Sequence, residues 1–117
     1  MDNENLENDI SYLLGSYVGM GRTIEKELDR LMKKETPSNI EDWLEEFSEN
    51  PAKALGHCQE AMLKEQVVLK RVNKTELLDE CTAVLKKINV AALEHVTLDL
   101  PNFLHGYHTV QKDHGFE

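Results

Sequence analysis

The side chains best suited to chemistry are few in this chain. His105 and His108 stand three apart, so a helix would set both on one side, with Asp113 or His114 as a further ligand. Helical His pairs bind zinc, but a zinc site needs a third strong ligand in a defined geometry. The chain has no Cys-x-x-Cys and no His-Glu-x-x-His. Gly19-x-Gly21 lacks the preceding strand and the Lys-Ser/Thr ending of a phosphate loop. Carboxylates crowd residues 41–49, yet no apolar pocket is foreseen there to raise the pKa of one of them for acid/base work. Cys58 and Cys81 each fall on the apolar stripe of an expected helix. They read as buried free thiols rather than as a disulfide, a reactive pair or metal ligands. The expectation is recognition without catalysis, with no metal and no cofactor.

Charge is the next signal. The net charge is −9, and the acid is unevenly placed. Residues 35–49 hold Glu35, Glu41, Asp42, Glu45, Glu46 and Glu49 with no Lys or Arg, and residues 1–9 add Asp2, Glu4, Glu7 and Asp9. Basic residues gather at Lys33-Lys34, at Lys64, Lys70, Arg71 and Lys74, and at Lys86-Lys87. Phosphate affinity grows with the number of Lys and Arg contacts, so such a chain should bind free nucleic acid weakly. The acidic run reads either as a solubilising surface or as a face that docks on a basic partner, through Glu41, Asp42, Glu45 and Glu46.

The elements that must position these groups are helical throughout. A chain of 117 residues has room for one domain, residues 1–117, and 40% hydrophobic with 30% charged residues suits a globular chain. Leu6, Ile10, Leu13, Leu14, Tyr17, Ile24, Leu28 and Leu31 recur at spacings of three and four, with one gap at residues 18–23. Gly15-x-x-x-Gly19, with Ser16 and Gly21, makes a small-residue face in mid-helix. It predicts close approach by another helix backbone, or a kink near Gly19 and Gly21.

Thr36-Pro37-Ser38 predicts a break, and Ser38 with Glu41 has the spacing of a capping box. Ile40, Trp43, Leu44 and Phe47 supply the apolar face of a short second helix, with Trp43 as its anchor. Asn50-Pro51 reads as N-cap and first helical position of a third helix carrying Leu55, Cys58, Met62, Leu69 and Val72, its stripe widened by Leu63 and Val67. Asn73 with Glu76 predicts the start of a fourth helix through Leu77, Leu78, Cys81, Leu85 and Ile88, with residues 90–96 prolonging it or forming a separate turn. The stretch before Pro101 predicts another break, then a last helix with Phe103, Leu104, Tyr107 and Val110 on one side. No segment alternates at period two.

The fold expected is therefore all-α, a compact bundle of four to five antiparallel helices. Its expected core is Leu13, Leu14, Trp43, Leu55, Met62, Leu69, Leu78, Cys81, Leu85 and Leu104. No apolar run approaches the length of a membrane span, and the acidic N-terminus is unlike a signal peptide, so a cytoplasmic protein is expected.

Three islands carry a resemblance: Tyr12-Leu13-Leu14-Gly15, Asn50-Pro51-Ala52, and Phe103-Leu104-His105-Gly106-Tyr107-His108. Their order and spacing resemble the C-terminal region of the large subunit of type I-C CRISPR surveillance complexes (Cascade), a region that the family also makes as a separate small subunit. Gln111 sits a little further from Tyr107 than the family's glutamine would. The resemblance implies a helical bundle that packs against copies of itself or against backbone subunits and helps hold guide and displaced DNA strands. It implies that Gly15 allows close helix packing and that Tyr107 and His108 fix the last helix. Nucleic-acid contacts would fall to Lys64, Lys70, Arg71, Lys74, Lys86 and Lys87, and partner contacts to Gly15, Tyr107 and His108 beside the acidic face. The net charge departs from that role. It also fits a phage or mobile-element interaction protein, an anti-defence inhibitor or a small-subunit mimic, and a homo-oligomeric bundle is a third reading.

Overall fold

The computed structural model describes residues 9–32, 40–73 and 75–116. Five α-helices and one 3₁₀ turn appear among them, with no strand: α1 (Ile10–Met32), α2 (Ile40–Glu49), α3 (Pro51–Arg71), α4 (Thr75–Lys87), the 3₁₀ turn (Val90–His95) and α5 (Leu100–Asp113). The capping-box Ser38, the break at Thr36-Pro37, Lys33-Lys34, Lys74 and the acid at residues 2–7 lie outside the described residues.

Helix α1 starts where Asp9 Oδ1 accepts the backbone N–H groups of Ser11 and Tyr12, at 2.9 and 3.2 Å. It then runs unbroken through Gly19 and Gly21. Its apolar stripe is buried as expected at Leu13, Leu14, Tyr17, Ile24 and Leu28, but the supposed gap is buried as well. Val18, Gly19, Met20, Gly21 and Thr23 all lie inside. The reason is that α1 is the central helix, packed by α5, α4 and α3. The small residues face two different neighbours: a Cβ on Gly19 would lie 3.0 Å from Val110 Cβ on α5, and one on Gly21 3.1 Å from Met62 Sδ on α3.

Consecutive helices alternate in direction, as short connections require. The odd-numbered helices consequently run the same way. Along α1 and α5 the pairings step together: Ser11 Oγ accepts the Asp99 N–H at 2.8 Å, Gly15 meets Phe103, Gly19 meets Val110, and Gln111 Nε2 donates to Thr23 Oγ1 at 2.9 Å.

The third helix begins as foreseen. Asn50 Oδ1 accepts the Lys53 N–H at 3.2 Å and Pro51 opens the first turn. It ends with Asn73 at φ 60°, a left-handed residue whose N–H donates to the Lys70 carbonyl, so Asn73 closes α3 rather than capping α4. Residues 90–96 form a separate turn that drops Leu93 into the core against α3. The last helix is capped by Asp99, whose Oδ1 accepts the Asn102 N–H at 3.3 Å, with Pro101 in its first turn.

Of the expected core, Leu13, Leu14, Leu55, Met62, Leu69 and Cys81 are buried, while Trp43, Leu78 and Leu85 are half-buried and packed against it. Leu104 is also half-buried. Phe47 and Phe103 form the centre that joins α2 to α5, with ring centroids 5.3 Å apart. Leu63 and Val67, expected to widen the buried stripe of α3, point outward instead, 58% and 51% exposed.

Candidate functional site

Two of the three sequence islands meet where α1 crosses α5. A Cβ added at Gly15 would overlap the Phe103 carbonyl oxygen, and one at Gly106 would overlap the Tyr12 carbonyl oxygen. The two backbones touch at that level, which only glycine permits on both sides. Gln111 then locks the seam. It is fully buried, donates from Nε2 to the Gly19 carbonyl and to Thr23 Oγ1 at 2.9 Å each, and accepts from Lys26 Nζ at 2.6 Å through Oε1. A buried amide with its donors and acceptor engaged is specific as well as stabilising. Beyond it, Lys26 Nζ lies 4.8 Å from the centroid of the Phe116 ring, and Arg30 covers the same ring.

This crossing corrects two expected partner contacts. Gly15 and Tyr107 are buried within the chain and present no surface to a partner. Tyr107 sets its ring edge-on to His108 at 5.2 Å, and His108 itself is exposed. His105, also exposed, stands edge-on to Tyr12 at 5.4 Å. His114 Nε2 lies 2.8 Å from Glu80 Oε2 on α4 rather than beside the other histidines. No group of three or more His, Cys, Asp or Glu is placed to hold a metal ion among the described residues.

The acidic face forms on α2. Glu41, Asp42, Glu45 and Glu49 are exposed, and the first two lie in the first turn, where the helix dipole favours negative charge. Glu46 stands apart from them. It turns to α3, where its carboxylate holds His57 Nδ1 at 2.8 and 3.1 Å, with the Trp43 ring 5.2 Å from that imidazole. The expected face is therefore Glu41, Asp42 and Glu45, continued by Glu49.

The basic residues do not form one patch. Lys64, Lys70, Arg71, Lys86 and Lys87 are all exposed. Lys70 and Arg71 sit at the α3–α4 turn, whereas Lys86 and Lys87 lie at the far end of α4, about 18 Å back along that helix.

Buried titratable groups complete the picture. Cys58 and Cys81 are buried free thiols. Burial pushes Cys81 up to about 11, its hydrogen bond with Tyr17 acting against that, and burial likewise raises Cys58 and the Tyr17 phenol. Glu65, on the inner side of α3, has a buried Oε2 with no hydrogen-bond partner. Burial first, then the carboxylates of Glu25 and Asp29 on α1, push it up to about 8. Gln111 is marked in the sequence only through the resemblance, and nothing marks Glu65, because a polar residue on a buried arc breaks the apolar pattern instead of marking it.

No described helix is long and apolar enough to cross a membrane. No family model, curated protein or solved structure matches the chain when it is compared with them.

Proposed function

We propose that this chain is a non-catalytic helical interaction protein that acts as a small-subunit-like component of a type I-C CRISPR surveillance complex. The observation that supports this reading is where the resemblance-bearing residues sit. Gly15, Phe103, Gly106 and Tyr107 build one helix crossing, and Asn50-Pro51 starts the helix beside it. Residues that recur in a structural module should be those that its backbone contacts require. The docking face is the exposed acid of α2, with Lys86 and Lys87 of α4 left for strands held within an assembly.

The charge of α2 favours a second reading, a phage or mobile-element protein that presents this acid to a basic groove. Like-charge contact at an interface costs several kcal/mol, of order 2–5, whereas exposed helix charges contribute little to folding. The variant Glu41→Lys, Asp42→Lys, Glu45→Lys should therefore stay folded and lose its partner. Pull-down with a purified type I-C complex tests both readings. Capture by the parent chain and not by the variant supports docking through α2, and a nuclease assay on the captured complex separates a working subunit from an inhibitor. Equal capture of both proteins would remove the acidic face from the binding surface. Absence of capture by the parent would remove this complex as the partner.

A further inference from the structure

A second surface lies on α3 and is independent of α2. Helical geometry sets Leu63, Val67 and Lys70 in one row, at i, i+4 and i+7, with Glu60 before them and Lys64 and Arg71 alongside. All are exposed. Leu63 and Val67, 58% and 51% open, form an apolar ridge with Lys64 and Arg71 along one flank and Lys70 at its end. Three cations, Lys64, Lys70 and Arg71, accompany one carboxylate, Glu60, on this face, in a chain whose net charge is −9. At Gly56, on the same side, nothing lies within 4 Å of an added Cβ, so the ridge has an open approach toward the start of the helix.

Each class of occupant uses these features differently. Nucleic acid would engage the cations but gain nothing from a Leu-Val ridge between them, because phosphates are best met by polar donors. A second copy could offer the acid of α2, but the apolar side of that helix, with Trp43, Leu44 and Phe47, is already turned into its own core. An i, i+4 apolar pair is the ridge that another helix receives between its own side chains, and cations beside it pair with carboxylates at the rim.

We propose that the outward face of α3 is a docking surface for an acidic amphipathic helix of a partner protein, with Leu63 and Val67 packed on its apolar stripe and Lys64, Lys70 and Arg71 against its carboxylates.

The test uses fluorescence anisotropy with two synthetic Glu/Leu helical peptides of identical composition. One carries its leucines at i, i+3 and i+4, and the other disperses them around the helix. A labelled single-stranded DNA serves as a third probe. The parent chain should bind the striped peptide about tenfold or more tighter than the dispersed one. Leu63→Ser with Val67→Ser should abolish that preference, and Lys64→Gln, Lys70→Gln, Arg71→Gln should weaken both peptides by about tenfold or more. The three charge-reversed positions on α2 should leave the preference in place, so failure here and failure of the α2 surface remain distinguishable. Far-UV circular dichroism checks that each variant keeps its helices.

Equal affinity for the two peptides, or no binding of either, would overturn the proposal. DNA binding tighter than peptide binding and indifferent to the serine pair would assign the surface to nucleic acid. Concentration-dependent self-association in sedimentation, lost in the serine variant, would assign it to a second copy.

Discussion

At Gly15 the difference between glycine and alanine is one methyl group, and the Phe103 carbonyl already occupies its place. Replacing a mid-helix glycine by alanine normally stabilises a helix by about 1 kcal/mol. Here the helices would have to part, and overpacking of this kind costs about 1–3 kcal/mol. Gly15→Ala should lower stability, while Gly56→Ala, where the added atom meets open space, should raise it by about 0.5–1 kcal/mol. Urea unfolding of the two variants, read against the parent, checks both signs. The close approach at Gly15 was legible, since a mid-helix glycine face implies a neighbouring backbone. The identity of that neighbour was not, because nothing local in residues 12–19 points to residues 103–110. Glu65 makes the second prediction at this scale. Its carboxyl has an ordinary value of 4.5 and is pushed to about 8 in the fold. The folded chain therefore keeps a proton that the unfolded chain releases. Its contribution is fully present below about pH 4.5 and is lost as pH rises through about 8. Glu65→Gln should match the parent near pH 4.5 and melt at a higher temperature than the parent above pH 8; parallel melting curves at all pH values would contradict this.

Helix α3 shows how far an element can be read from its residues. Its start was legible because Asn-Pro is a local signal that needs no tertiary partner. Its buried face is not legible, because apolar residues lie on two sides of it. Met62 and Leu69 face the core, and Leu63 and Val67, about 100° or more around the helix from them, face outward. A stripe defined by periodicity alone cannot say which apolar arc another element covers. The end of α3 is ambiguous in the sequence for a related reason. Asparagine suits both an N-cap and a left-handed closing residue, and the backbone at φ 60° chose the second. Asn73→Gly should accordingly be neutral or stabilising. Asn73→Val should cost about 1–2 kcal/mol, because a β-branched residue resists the left-handed region. Thermal unfolding of the pair measures the difference, and equal melting temperatures would refute the assignment.

On the scale of the whole molecule, the all-α class and the alternation of helices follow from five amphipathic segments joined by short breaks. The centrality of α1 does not. A helix with a six-residue gap in its stripe reads as half-covered until three neighbours are found around it. The partition of charge has the same character: acid on α2 and cations on α3 were visible as runs, but only the packing shows that Glu46 is engaged with His57 and that Lys86 and Lys87 stand apart from Lys70. The glycine crossing also has a consequence in time. Gly19 and Gln111 are bonded across 92 positions, and α1 leaves the ribosome long before α5. Until the later helix is made, the earlier one is an apolar rod whose main groove has nothing to fill it. Contacts of such long range carry the loop-closure cost before any return, so folding waits on them. A translational stop before Leu100 would thus release no smaller domain, only a chain with its central helix uncovered, fit for a chaperone or a protease.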